Sequence, residues 1–327
     1  MADERLRFGV LGAARIAPPA LLVPASRIDS IEVTRVAARD RSRAETFAAE
    51  HGIPHVADDY RAVIEADDVD VVYTPLPMHL HAEWTIAALR AGKDVLCEKP
   101  FASNAAEAEE MVQVAEEEGR ILGEAFHHWY HPMFQRVLTV IRSGVIGSVT
   151  RAEGYFNIEI DQPDIRWQYE TSGGSLMDLG CYSVIWVRHA VGEEPAVVSA
   201  EAEVGPPRVD AAISAELTFP SGATGLVQSS MISQDADIRL VVTGTEGEIV
   251  AVNPLAPQKG NTLTIRTASG ETSGQIDAGS TYEHMVRAFA DHVRHGLPFP
   301  TQGRDSIANM AAIDAIYTEA GLPLRGA

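Results

Sequence analysis

Between residues 6 and 125, short apolar runs alternate with helix-patterned segments. Leu6 to Leu11 reads as a strand, followed by Ile31 to Ala38, Val69 to Thr74, Asp94 to Cys97 and Ile121 to Ala125. Helical spacing fills the gaps over Ser42 to His51, Tyr60 to Glu65, Ala82 to Ala91 and Ala105 to Glu118. Gly52, Gly92 and Gly119 act as stops, and Ser103 as the N-cap of the last helix. Strands that alternate with helices require right-handed crossovers, so this half predicts a parallel, doubly wound sheet.

The first strand runs into Gly12-Ala13-Ala14-Arg15-Ile16-Ala17. This matches the dinucleotide fingerprint with alanine at the second and third glycine positions: a tight turn, close backbone approach to a pyrophosphate, then close helix packing. Alone it reads equally as an ordinary strand–helix turn, and Pro18-Pro19 should cut the first helix short. A carboxylate ending the second strand would bind a ribose hydroxyl, whereas arginine accommodates a 2′-phosphate. Arg39 stands there, Arg41 and Arg43 follow, and Asp40 comes one step too late. This favours NADP(H) over NAD(H); the alternative is that Arg41 and Arg43 form a solvated helical turn. The fourth strand ends in Glu98-Lys99-Pro100, so Lys99 sits where a nicotinamide ring would lie in such a domain.

The 327 residues suffice for two domains, and 46% of them are hydrophobic, so a packed core is expected. A net charge of −20 repels nucleic acid and anionic membranes, which excludes both as partners, and requires any phosphate site to be built locally. Met1 to Arg7 is polar, and no apolar run approaches the ~18 residues of a membrane span, so the chain reads as cytoplasmic. Cys97 and Cys181 read as small buried hydrophobes.

After residue 125 the pattern changes. Ser148 to Ile158, Ala196 to Glu203, Ala211 to Phe219, Thr224 to Ile232, Ile238 to Gly244 and Thr262 to Thr267 are strand-like, with Gly147, Gly222 and Gly247 at turn or bulge positions. Tyr282 to His295 and Arg304 to Ala320 are late helices.

The segments Gly9 to Ala17, Pro75-Leu76-Pro77 with His81, Ala88 to Pro100 and Gly173 to Tyr182, in this order, resemble the glucose–fructose oxidoreductase / inositol dehydrogenase / MocA family. Within it Ala37-Ala38-Arg39-Asp40, the Pro-Leu-Pro turn and Tyr182 are most similar to the dihydrodiol dehydrogenases and NADP-dependent D-xylose 1-dehydrogenases. The resemblance implies an α/β protein: an N-terminal Rossmann fold (1–125) and a C-terminal α+β domain (126–327) on an open, mostly antiparallel sheet. The last helix is expected to pack back on the Rossmann domain, and the C-terminal sheet to form a homodimer or homotetramer. The implied activity is NADP(H)-dependent hydride transfer to or from a carbinol or carbonyl carbon of a sugar, polyol or cyclic diol.

Such a reaction needs an acid/base for the hydroxyl proton. Tyr182 is the candidate, and a neighbouring lysine ammonium, Lys99, would lower its pKa from ~10. Which of the two carries the proton directly is open, and a core tyrosine and a surface lysine are the plain alternatives. Asp178 and Tyr182 are four apart and predicted to share a helical face, with Asp178 on substrate hydroxyls or serving as an N-terminal helix charge. Cofactor contacts are assigned to Gly12, Ala14, Arg15, Ile16, Arg39, Pro75, Leu76, His81, Glu98, Lys99 and Arg166, and substrate contacts to Asp178, Trp167, His128 and Tyr155.

Two segments depart from the family pattern. Met78 replaces an asparagine, and His127-His128-Trp129-Tyr130-His131 replaces a Met-Tyr-Arg segment. His127 and His131 are i,i+4, yet no metal-binding motif accompanies them, so no metal site is assigned. The family also implies two alternatives: a non-catalytic NADP(H)-binding regulator and an NAD-retaining glycosidase. An intact Glu98-Lys99-Pro100 with Tyr182 argues against the first, and Arg39 against the second.

Overall fold

The computed structural model describes residues 5–205 and 208–326; the first four residues of the polar amino-terminal segment and residue 327 lie outside the described residues. Among the described residues, six strands make one parallel sheet: β1 (Leu6–Leu11), β2 (Ile31–Ala37), β3 (His55–Val56), β4 (Val71–Thr74), β5 (Asp94–Cys97) and β6 (Leu122–Glu124). Their order is β3-β2-β1-β4-β5-β6, and neighbouring strands run parallel throughout. The order reverses between β1 and β4, which opens a crevice at the carboxyl ends of the strands.

Two sequence expectations change here. β3 is only two residues long and carries no apolar run, so periodicity does not reveal it. Pro18 and Pro19 open the first helix rather than cutting it: they occupy the first two positions of a π-helical turn, Pro18–Leu22, that continues as Val23–Ala25. Proline's fixed φ suits a first turn, where its missing N–H is not needed. The last helix of this half begins at Ala105, whose amide donates to Asp314, while Ser103 accepts a hydrogen bond from Ser172.

The second sheet holds eight described strands: β7 (Val149–Glu159), β8 (Ala196–Gly205), β9 (Val209–Thr218), β10 (Thr224–Ser230), β11 (Ile232–Gly244), β12 (Gly247–Val252), β13 (Thr262–Thr267) and β14 (Gly270–Gly274). Their order is β14-β13-β12-β11-β7-β10-β9-β8, antiparallel except for β7 with β10. β12 and β14 add to the strands expected from sequence. β14 is a wholly exposed edge without an apolar residue, whereas β12 carries an alternation (Ile249 and Ala251 buried) that is legible past Gly247.

The helix Cys181–Val191 lies on one face of this sheet. A Cβ on Gly154 would come 2.7 Å from the Ser183 carbonyl oxygen, so glycine there is what allows the helix backbone to rest on β7. Ala152 and Phe156 share that face, and Phe156 meets Tyr182 and Trp186.

The chain divides into two compact units. The first runs through Ala102 and takes Ala106–Phe126 and Tyr282–Ile307; the second takes Ser103–Ala105, His127–Thr281 and Ala308 onward. The helix Thr281–His295 belongs to the first unit from Tyr282 on, packing Phe289 against Phe8 and Phe299, while Arg304–Glu319 passes into the second unit after Ile307.

Candidate active site

In the first unit the site is built on the turn after β1. Gly12 has φ +104°, and a Cβ on it would come 3.2 Å from Leu76. Its amide donates to the Ala37 carbonyl, which ties the turn to the end of β2. Ala13, Ala14, Arg15, Ser42 and Arg43 border a groove of about 430 Å3 beside it. Arg15 is exposed, and Ala14 and Ile16 are half-buried. A phosphate-bearing dinucleotide fits this arrangement, because small side chains leave the backbone accessible and arginine and serine donors surround it.

The arginines divide by role. Arg39 is exposed at the end of β2. Arg41 is ion-paired with Glu45 and Asp58 on the surface. Arg43 reaches back to the fingerprint turn, donating from Nη2 to the Ala13 carbonyl at 2.8 Å. Asp40 caps the helix Arg41–His51; the Ser42 hydroxyl and the Arg43 amide hold its carboxyl below the usual range. Asp40 is thus held as an N-cap. Arg43 is a functional candidate for which the sequence keeps a solvated turn as the alternative; its position at the third residue after an N-cap is the available signal.

Pro75 and Leu76 are buried after β4. His81 is buried too, and its ring nitrogens lie 2.9 Å from the Pro100 and Leu76 carbonyls. Burial lowers its pKa, favouring the neutral ring. His81 therefore holds the Pro-Leu-Pro turn against the Glu-Lys-Pro turn, which corrects the expectation of a direct cofactor contact. Met78 is buried in the turn between them.

Glu98 is buried after β5. The Tyr73 hydroxyl donates to its Oε1 at 2.6 Å, and the Lys99 amide to its Oε2 at 3.3 Å. Burial pushes this carboxyl up, opposed by the Tyr73 hydrogen bond and the Lys99 charge. Lys99 itself is half-buried. Both cysteines are free and buried, and burial pushes the Cys97 thiol up to about 12.

In the second unit a π-helical turn, Leu176–Gly180, leads into the helix Cys181–Val191. Such turns are frequent at functional sites. The pair expected to share one face divides here. Asp178 accepts from Arg166 Nε at 2.6 Å, and Arg166 also donates to Asp164 at 3.1 Å. The Asp178 carboxylate holds the Arg166 guanidinium well above its ordinary value. Tyr182 instead brings its hydroxyl to 3.1 Å from His127 Nε2, and His127 Nδ1 lies 2.8 Å from Thr281 Oγ1.

Three assigned substrate contacts are corrected. Trp167 is buried, with its indole N–H donating to the Ile160 carbonyl, so it packs under its loop. Tyr155 points to the sheet face opposite the helix Cys181–Val191, where Arg239 lies 4.3 Å above its ring; alternation along β7 decides this. His128 is fully buried, edge-on to Tyr182, Phe134 and Trp186. Burial drives its pKa well below the ordinary value, so it is a neutral packing ring. His131 accepts from the Met133 amide as an N-cap. Among the described residues no three potential metal ligands cluster, and no helix is long and apolar enough to cross a membrane.

A parallel sheet of this order, a glycine turn closing its first strand and a lysine after the strand β5 define a two-unit dinucleotide-fold oxidoreductase. Residues 6–126 match the oxidoreductase family with an NAD-binding Rossmann fold, and residues 134–250 match the GFO/IDH/MocA C-terminal domain. The chain belongs to the Gfo/Idh/MocA family of oxidoreductases. A D-xylose 1-dehydrogenase (NADP(+)) of Haloferax volcanii is 35% identical over 320 residues, covering 96% of this chain and 97% of the relative. A trans-1,2-dihydrobenzene-1,2-diol dehydrogenase of Xenopus tropicalis is 31% identical over 246 residues, 74% of each chain. KijD10, a 3-ketoreductase from Actinomadura kijaniata solved with NADP and TDP-benzene, superimposes with a TM-score of 0.90 at 31% identity, covering 97% of this chain and 98% of its own.

Proposed function

We propose that this protein is an NADP(H)-dependent oxidoreductase that moves a hydride to or from a carbinol or carbonyl carbon of a sugar, polyol or cyclic diol. The observation that carries the reading is Lys99, placed directly after β5 beside the buried Glu98 in a dinucleotide fold. The relatives act on the same kinds of carbon: a xylose dehydrogenase, a dihydrodiol dehydrogenase and a 3-ketoreductase. Solved forms of KijD10 include ones with a lysine or a tyrosine replaced.

The nicotinamide, when bound, supplies or accepts the hydride. Lys99 and Tyr182 serve the proton and the charge on the reacting oxygen, a role that requires donors preorganised for that oxygen. Asp178, its charge balanced by Arg166, accepts from substrate hydroxyls. Arg43 and Arg15 hold the phosphates, with Arg43 favouring the 2′-phosphate. The outer face of the eight-stranded sheet serves a homo-oligomer; the buried Asn157 Oδ1 on that face has no hydrogen-bond partner among the described residues.

The test is the near-ultraviolet absorbance of reduced nicotinamide, followed with NADP+ or NAD+ against aldoses, inositols and trans-cyclohexanediol. Reduction of NADP+ by one class supports the reading. No turnover in either direction, beside tight NADP(H) binding, overturns it in favour of a regulator. A single-chain mass by light scattering would overturn the oligomer.

A further inference from the structure

We propose that His127 is the proton partner of Tyr182, so that an imidazole, not the phenol, holds the reaction's proton between turnovers. The inference rests on the oxidoreductase reading of Tyr182 but has a readout of its own. The geometry is a chain of three buried side chains: Thr281 Oγ1, His127 Nδ1 at 2.8 Å, then His127 Nε2 and the Tyr182 hydroxyl at 3.1 Å. Thr281 orients the ring. If the threonine oxygen accepts from Nδ1–H, the other nitrogen, Nε2, is left as an acceptor facing the phenol.

A tyrosine alone is a poor base near neutrality, because its ordinary pKa is ~10. The pair escapes this limit. In carbinol oxidation the substrate C–H leaves as hydride to the nicotinamide. The substrate O–H proton moves to the Tyr182 oxygen as that oxygen's own proton moves to His127 Nε2. The products are a carbonyl, reduced nicotinamide, neutral Tyr182 and an imidazolium that donates from both nitrogens. Reduction runs the same transfers backwards. The proton is then exchanged by a group with an ordinary pKa of ~6.5, and the phenolate need not persist.

Two titratable rings that pack against His127 are Tyr182 and His128, with centroids 5.9 and 6.4 Å away. His128 packs edge-on to the phenol ring, with centroids 5.5 Å apart.

The test is His127→Gln, which keeps a hydrogen-bonding side chain but cannot take the proton. Turnover should fall about 100-fold with KM within about twofold, the pattern of a lost proton-transfer group. The pH limb of kcat for oxidation should also move upward, because a phenol is ordinarily a weaker acid than an imidazolium. A folded His127→Gln variant with turnover within about twofold of the parent, or with an unmoved limb, overturns the proposal and leaves the oxidoreductase reading intact. A second measurement needs neither turnover nor a variant at His127. Nitrogen-15 NMR of the histidines should show His127 protonated on Nδ1 and accepting on Nε2, with its titration shifted by Tyr182→Phe. A proton resident on Nε2 in the neutral ring, or a titration indifferent to Tyr182→Phe, overturns it.

Discussion

Three lysines and 23 arginines make up the basic side chains of this protein. Lys93 is held by the Ala66 and Val69 carbonyls, whereas Lys99 stands beside Glu98 at the sheet's carboxyl edge. Arginine stays protonated throughout the working range, and lysine does not have to, so a lysine here suits a site that trades protons. Lys99→Ala and Tyr182→Phe are each expected to lower turnover by at least about 100-fold, and Lys99→Arg to restore little, in steady-state assays of the folded variants. Arg43→Ala should raise KM for NADP+ about tenfold more than for NAD+, as loss of one charge-assisted hydrogen bond would; equal effects would place the 2′-phosphate elsewhere. His128 carries a prediction about pH. It is neutral when folded, while an exposed histidine protonates below 6.5. The unfolded chain therefore binds the extra proton, and stability falls as pH drops through that value toward the depressed folded one, by up to about 1.4 kcal/mol per unit. Urea titrations at stepped pH should show this slope, and His128→Phe should remove one proton from it.

The element that carries Asp178 and Tyr182 is fixed at its start by a buried carboxylate. Asp210 accepts from the Leu176 amide at 2.8 Å, Ser175 Oγ at 3.0 Å, Tyr317 at 2.9 Å and Arg325 at 2.5 Å. Arg325 is fully buried and donates also to the Gly173 carbonyl. Arg325→Met is expected to cost about 3–5 kcal/mol, because it strands the carboxylate, and adding Asp210→Asn should recover part of that; thermal unfolding of the single and double variants reads both. None of this network is legible in sequence, because Asp210 and Arg325 are 115 residues apart and no local pattern links them. Except for β3, the strands of the first sheet are legible because buried parallel strands are continuous apolar runs. The site is half-legible. Glycine turns and Glu98-Lys99-Pro100 are local signals, so they can be read. Which nitrogen or hydroxyl faces Tyr182 is decided by tertiary packing. That is why sequence favours His128 over His127, and why it places Tyr155 on the wrong side of β7.

At the scale of the whole molecule the charge is the dominant fact. Ion pairs such as Arg41–Glu45 and Arg266–Glu271 are exposed surface contacts that solvent screens. They leave a net −20 of self-repulsion. Salt weakens both, and the repulsion outweighs the pairs, so the thermal midpoint should rise between dilute buffer and roughly molar salt, where screening is nearly complete. A midpoint that falls would mean the pairs dominate. The interleaving of the two units bears on biosynthesis. The ribosome makes Phe8 and Gly123 long before Phe289 and Phe299, the rings that cover them. Through the whole synthesis of the second unit, that face of the nascent first sheet stands without its lid, a surface for holding chaperones to recognise. A gene cut after residue 126 would make this temporary exposure permanent.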